Sequence, residues 1–181
     1  MAVGDTNLTN LVLSGDLTVG DDVTVTGDLA VSGTVTARNA PYQFVAGGSA
    51  LTLTAATHAG KVIRLDTATG STITLPAATG TGNVYGFVTY VLATSNSHIV
   101  KVANSTDVMS GALVVVDDSN GSATTFGTVA ASDTITLNRT TTGSVKIGEM
   151  FFITDVKAGY FNVFGVVIAT GTEATPFSAT V

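Results

Sequence analysis

The chain has no cysteine and no tryptophan, and only 11% of its 181 residues are charged. The absence of thiols excludes disulfides, thiolate metal sites and thiol catalysis, and it fits a reducing cytoplasm. Globular domains usually have about a quarter of their residues charged, so this chain has too few charges to cover the surface of an ordinary monomer. We therefore expect it to share much of its surface with partner chains.

Basic residues and long hydrophobic runs are also scarce. Seven lysines and arginines stand against thirteen acidic residues, which gives a formal net charge of −6. The basic residues form no cluster, so the sequence predicts no nucleic-acid partner. The longest apolar run near the end, residues 161–169, is broken by Asn162 and Gly165 and is too short to span a bilayer. Since no secretory signal is visible either, we expect a soluble chain with no membrane partner.

The rarity of straight-chain helix formers, with two glutamates and one glutamine, argues against helices. Threonine and valine are common, and their β-branched side chains favour pleated structure. No 3.6-residue apolar pattern is sustained, so the sequence predicts an all-β protein. The predicted strands are residues 50–54, 61–66, 71–75, 84–92, 98–103, 113–116, 124–129, 133–138, 149–156 and 160–168. Short strands with turns at this spacing are typical of a jelly-roll-like β-sandwich or barrel.

A six-residue repeat runs through the first 40 residues, where an apolar pair at i and i+2 precedes a bend at glycine or aspartate. One turn of a triangular β-helix takes roughly three hexads, so about five hexads leave almost no stacked core within one molecule. The repeat therefore predicts an obligate partner, most simply other copies of the chain. The residues predicted at that oligomer interface are Leu11, Leu13, Leu17, Val19, Val23, Val25, Leu29, Val31 and Val35.

The repeat ends at a junction over residues 38–41, because Pro41 lacks a backbone donor and restricts Ala40 to extended geometry. We therefore divide the chain into an extended N-terminal arm, residues 1–40, and a β-domain, residues 41–181. Period-two alternation places Val25 of the arm in an interchain core and turns Thr24 and Thr26 away from it.

Candidate chemical sites are few. His58 and His98 stand forty positions apart without a nearby ligand pattern. Residues 117–121 are rich in oxygen ligands but lack the spacing of a calcium loop, so a solvated hairpin turn with positive φ at Asn120 and Gly121 is the preferred reading. Residues 80–82 lack the Lys-Ser/Thr of a phosphate loop. The sequence predicts no catalytic residue, metal or cofactor, and no enzyme.

Five aromatic residues flank a predicted hairpin near residues 157–159, namely Phe151, Phe152, Tyr160, Phe161 and Phe164. Alternate residues of two paired strands face the same side, so we expect at least half of these rings to form core. The alternative is an exposed aromatic platform that binds carbohydrate.

Several segments of the β-domain resemble known viral proteins. Residues 60–66, 71–80 and 84–88, together with residues 159–165 and 174–178, are similar to tailed-bacteriophage capsid decoration proteins, also called cement or head-fibre proteins. The resemblance implies a homotrimer on the capsid exterior, assembled in the host cytoplasm, that binds the major capsid protein of the same virion and stabilises the shell. It also implies that the arm serves oligomerisation or capsid attachment.

Two other classes of viral protein remain open as alternatives. A tail or head fibre would bind a host-surface glycan through the β-domain, but such a fibre would be expected to carry a longer shaft or a second attachment module. A depolymerising tailspike would need two carboxylates across a sugar cleft. Most acidic residues of this chain fall at predicted turns, which explains them without catalysis.

Overall fold

The computed structural model describes residues 18–20, 24–27 and 42–181. The chain divides into two compact units, Met1–Ala40 and Pro41–Val181. Within the second unit strands dominate, and the single helix among the described residues has four residues. The prediction of an all-β protein is therefore confirmed.

The elements of the second unit follow one another closely along the chain. Their bounds are β1 Phe44–Ala46, β2 Ala50–Thr52, α1 Ala55–His58, β3 Val62–Leu65, β4 Thr72–Thr74, β5 Val84–Thr89, β6 His98–Lys101, β7 Val108–Asp117, β8 Ala123–Gly127, β9 Thr134–Leu137, β10 Met150–Lys157, β11 Tyr160–Ala169 and β12 Phe177–Ser178. They form a large sheet in the order β1-β3-β5-β10-β11-β7-β8 and a small sheet in the order β12-β9-β6-β4-β2.

The first six strands alternate between the two sheets. β1, β3 and β5 are parallel neighbours in the large sheet, while β2, β4 and β6 are parallel neighbours in the small sheet. Residues 44–101 therefore wind as three stacked turns of a parallel coil. Val45, Ile63 and Phe87 align across the large sheet in this stack.

The later strands close both sheets with mixed pairing. β10 pairs antiparallel with β5 and with β11, and β11 runs parallel to β7 from the pair Tyr160–Val108 to the pair Ala169–Asp117. In the small sheet, β9 pairs antiparallel with both β6 and β12.

The core lies between the inner sides of the two sheets. The large sheet contributes Ile63, Phe87, Leu113, Phe151 and Phe161, and the small sheet contributes Ile73, Val100, Ile135 and Leu137, all at most 1% exposed. Phe87 and Phe151 stack with ring centroids 5.0 Å apart. Alternate residues of each strand fill this layer, as the period-two rule requires.

All ten predicted strands are found, and three short elements escaped prediction. β1 and β12 are edge strands of three and two residues. The helix α1 forms because the Thr54 side chain accepts a hydrogen bond from the Thr57 amide and the His58 ring accepts one from the Thr54 amide.

β7 also begins five residues earlier than predicted, because Ser110-Gly111 resembles a turn in the sequence. Gly111 instead continues the strand with φ of 146°, and a Cβ at this position would overlap the Val163 carbonyl oxygen.

The predicted hairpin turn after β7 exists, but its backbone differs from the prediction. Gly121 has a φ of 74°, whereas Asn120 is not among the described residues with positive φ. The Gly121 amide donates to the Asp117 carbonyl, and the Asp117 carboxylate accepts hydrogen bonds from Ser119 and Asn120. A wider loop held by an aspartate therefore replaces the expected two-residue turn.

Gly165 on β11 is expected to tolerate no side chain. A Cβ there would overlap Cα and Cβ of Phe151 on the neighbouring strand, whereas the nearest atom to a Cβ at Gly127 on β8 is 3.9 Å away. We predict that Gly165→Ala lowers the free energy of unfolding by about 2 kcal/mol or more, through overpacking. Gly127→Ala is the matched control and is expected to change it by less than about 0.5 kcal/mol. Denaturant titration measures both, and equal stabilities would contradict the close approach of β10 and β11.

Candidate interaction surface

The structure describes two of the nine residues that the repeat predicts at an oligomer interface. Val19 and Val25 are 43% and 48% exposed in the single chain. Leu11, Leu13, Leu17, Val23, Leu29, Val31 and Val35 lie outside the described residues. Thr24 and Thr26 are exposed as well, so the single chain does not distinguish the two sides of the repeat. The arm interface stays a prediction.

A second candidate surface, missed by sequence reasoning, lies on the side of the large sheet that faces away from the core. We call it the outer face. One row of paired residues crosses six strands of the sheet and consists of Phe44, Val62, Gly86, Phe152, Phe164 and Ala112. The next row consists of Ala46, Arg64, Val88, Met150, Val166 and Val114. Eleven of these twelve residues are apolar, and three of them, Val62, Gly86 and Val88, are already buried in the single chain.

The outer face is apolar because β10 and β11 carry apolar residues at both parities. Phe151 and Phe161 fill the core, while the intervening Phe152 and Phe164 point the other way. Phe164 is 65% exposed and Val166 is 44% exposed. An antiparallel sheet with one wet side normally alternates apolar with polar residues, so this pattern makes the outer face a candidate interaction surface.

The outer face is recessed next to β11. The Phe152 ring lies beside Gly86, whose missing side chain leaves room for it. A hollow of about 500 Å³ is lined by Phe152, Phe164, Val166 and Ile147, among others. A smaller hollow of about 150 Å³ between Phe44, Arg64 and Tyr90 is also lined by Ile147, so the two hollows are neighbours. The recess fits apolar side chains that project from a partner.

The prediction that at least half of the five clustered aromatics form core is wrong, because two of them do. Phe151 and Phe161 are buried, Phe152 is half-buried on the outer face, and Tyr160 and Phe164 are exposed. Alternation divides the rings between two sides, and a bulge in β10 between Asp155 and Lys157 shifts the pairing near Tyr160.

Three cationic side chains lie on and around the outer face. The Arg64 guanidinium lies 4.9 Å from the centre of the Tyr90 ring, and Lys157 Nζ lies 5.5 Å from that of Tyr160. Lys146 is exposed beside the larger hollow. Glu149 also lines this hollow, but it is 6% exposed and its carboxylate accepts hydrogen bonds from the amides of residues 144–146.

Acidic residues of the described part of the chain point mostly inward. Five of the eight acids among residues 42–181 are buried, namely Asp107, Asp117, Asp133, Glu149 and Asp155. None of the six cations in the same range is buried. The surface of this unit is therefore more cationic than its formal charge suggests.

Asp155 is the most heavily hydrogen-bonded of these acids. Its carboxylate accepts hydrogen bonds from the amides of Thr79, Gly80 and Thr81 at 3.0, 2.6 and 3.2 Å, and from the hydroxyls of Thr79 and Thr81. Burial acts to raise the pKa of Asp155, but these hydrogen bonds outweigh it and lower the pKa to about 2. The carboxylate therefore fixes residues 79–81, in the loop where the sequence lacks a phosphate-binding motif.

The pKa of Glu149 shifts in the opposite direction. Its burial raises the pKa and outweighs the backbone hydrogen bonds that act to lower it. This residue ends the loop that carries Lys146 and Ile147 to the border of the outer face.

The two histidines serve local structure. His58 Nδ1 lies 2.9 Å from the Thr54 amide, and His98 is fully buried with Nε2 2.8 Å from the Val91 carbonyl oxygen. Burial lowers the pKa of His98. Within residues 18–20, 24–27 and 42–181 no group of three histidine, cysteine or acidic side chains is placed to hold a metal ion.

Comparisons of the chain with models of protein families, with curated proteins and with solved structures found no match. The resemblance to capsid decoration proteins therefore stays a prediction. No helix in the described part of the chain is long and apolar enough to cross a membrane.

The Asp155 contacts predict a specific dependence of stability on pH. Because the pKa is lowered on folding from 3.8 to about 2, the stabilisation is complete above about pH 4 and is lost as the pH falls towards 2. Asp155→Asn is expected to cost about 2 kcal/mol at pH 7, since an amide replaces charge-assisted acceptors, and less at pH 2.

Asp118→Asn is the matched control, because Asp118 is exposed beside the turn after β7. Urea titrations of the wild type and both variants at pH 7 and pH 2 measure the effect. A loss of stability in Asp155→Asn that is equal at the two pH values would contradict the role assigned to the carboxylate.

Proposed function

We propose that the protein is a homotrimeric capsid decoration protein, which binds the outside of a phage head and stabilises the shell. The observation that carries this proposal is the uncovered outer face, with Phe164 and Val166 at its centre. A rigid sheet that leaves so much apolar surface exposed is suited to a large permanent contact with another protein. The low charge content of the chain supports the same conclusion.

The arm would hold the trimer together in this proposal. Its apolar pairs have almost no core to enter within one molecule, and Val19 and Val25 are about half-exposed in the single chain. Packing of three arms would remove these side chains from water. The jelly-roll-like architecture is part of the same proposal, although five of the ten strand pairs are parallel, unlike those of an antiparallel jelly roll.

The mechanism requires no chemical step. A ligand that binds the assembled shell but not its separated subunits stabilises the shell by its binding free energy. A trimer that bridges neighbouring major capsid proteins would raise the cost of separating them, and so resist the pressure of the packaged genome. Binding to the shell and bridging of neighbouring capsid proteins both require surfaces that are complementary to the shell.

A fibre that binds a host-surface glycan is the second candidate. The exposed rings of Phe164 and Tyr160 favour it, because sugars stack on exposed aromatic rings. The two functions differ in their ligand: a decoration protein sediments with shells that lack it, whereas a fibre binds host-surface polysaccharide. Cosedimentation of the purified protein with undecorated shells of its virus tests the proposal directly, and a protein left wholly in the supernatant would contradict it.

The arm interface makes a sharper prediction about self-association. Light scattering on the wild type is expected to give about three times the 18.2 kDa chain mass. Val25→Asp is expected to dissociate the trimer, because it buries three charges in one interchain core. Thr24→Asp is the control and is expected to leave the trimer intact.

Two results would count against this account. A wild type that is monomeric at every concentration would exclude the trimer. Equal masses for the two variants would show that Val25 and Thr24 do not lie on different sides of the repeat.

A further inference from the structure

The outer face is wide, but only part of it is both apolar and exposed. Five of its strands, β3, β5, β10, β11 and β7, span about 24 Å at the usual strand spacing, and the eight residues of β10 extend about 26 Å. Within this area Val62 and Val88 are already buried in the single chain, and the row formed by Thr154 and Asn162 is polar. The loop residue Ile147, 70% exposed, extends the apolar area beyond β10.

The charges around this area restrict the partner. Arg64, Lys146 and Lys157 are the cations found above on and around the outer face, and the exposed carboxylate nearest to it along β7 is Asp118, directly after that strand. If two copies met face to face, six cations would be brought towards one another, which costs free energy. A partner that presents carboxylates around an apolar patch would pair with all three.

The geometry of the rings argues against a sugar as the main ligand. A cation lies over the Tyr90 ring and another over the Tyr160 ring, so one side of each ring is occupied within the chain. The hollow beside Phe164 has an apolar lining, whereas a sugar site needs hydrogen-bonding groups. This hollow instead fits an apolar side chain of a protein partner.

We propose that the outer face docks on an apolar patch of the shell that is bordered by aspartate and glutamate side chains. The inference rests on the proposed function, because it takes the shell as the partner, and it adds the surface and the chemistry of recognition. Val166, Phe164 and the hollow supply the apolar centre. Arg64, Lys146 and Lys157 supply the cationic border.

Two pairs of matched variants test this inference on the full-length protein. Val166→Ser changes the outer face, and Val129→Ser makes the same change at a 71% exposed valine in the loop after β8. Lys157→Glu reverses a charge at the border, and Lys101→Glu makes the same reversal on β6 of the small sheet. Light scattering and thermal unfolding verify that each variant is assembled and folded.

Cosedimentation with undecorated shells of the virus gives the affinities. Val166→Ser and Lys157→Glu are expected to weaken binding about tenfold or more, whereas the two controls stay within about twofold of the wild type. Wild-type affinity is expected to fall as the salt concentration rises, and to fall less steeply for Lys157→Glu, which has lost one of the ion pairs.

The possible outcomes separate this inference from the proposed function. If the wild-type protein does not bind shells, the proposed function itself is contradicted. If the wild type binds and the face variants bind equally well, the function stands and the outer face is not the docking surface. Loss of the trimer in the face variants would assign the face to a second copy, and binding of the wild type to phosphatidylglycerol vesicles would assign it to an anionic membrane. Either result overturns the inference.

Discussion

The period of two along a β-strand is the constraint on which the rest of the structure depends. The inner side of the large sheet must be apolar to pack on the small sheet, and alternation sends the remaining residues of the same strands outward. In β10 and β11 those outward residues are apolar too, so the fold forms one core and leaves a second apolar layer without a cover. Packing inside the domain therefore explains Phe151 and Phe161, and the proposed partner explains the exposed Phe164.

The distribution of charge follows from the way in which loops are fixed. Asp155 holds residues 79–81 and Glu149 holds residues 144–146, so carboxylates serve as internal acceptors for backbone amides. None of the lysine and arginine residues among residues 42–181 is buried. A chain with a formal charge of −6 thereby presents a cationic border around its exposed apolar face. Net charge alone, which argued against an anionic partner such as nucleic acid, says little about which charges a docking partner meets.

Sequence reasoning located the strands well, because threonine- and valine-rich segments with intervening glycine turns are a local signal. It could not identify the partners of Asp155, since these residues lie 74 to 76 positions away along the chain and meet it only through the fold. It also failed for the aromatic cluster. Alternation shows that Phe151 and Phe152 face opposite sides, but not that both sides are apolar across the neighbouring strands. The arm residues, including Val25, stay a prediction from the repeat.

The central claim is that the outer face is covered in the assembled particle. Hydroxyl-radical footprinting of the free protein and of the protein bound to shells tests it directly, because oxidation of a side chain requires contact with solvent. The account predicts that Phe164 is oxidised in the free protein and protected on the particle, while Val129, outside the outer face, is oxidised equally in both. Equal oxidation of Phe164 in the two states would contradict the account.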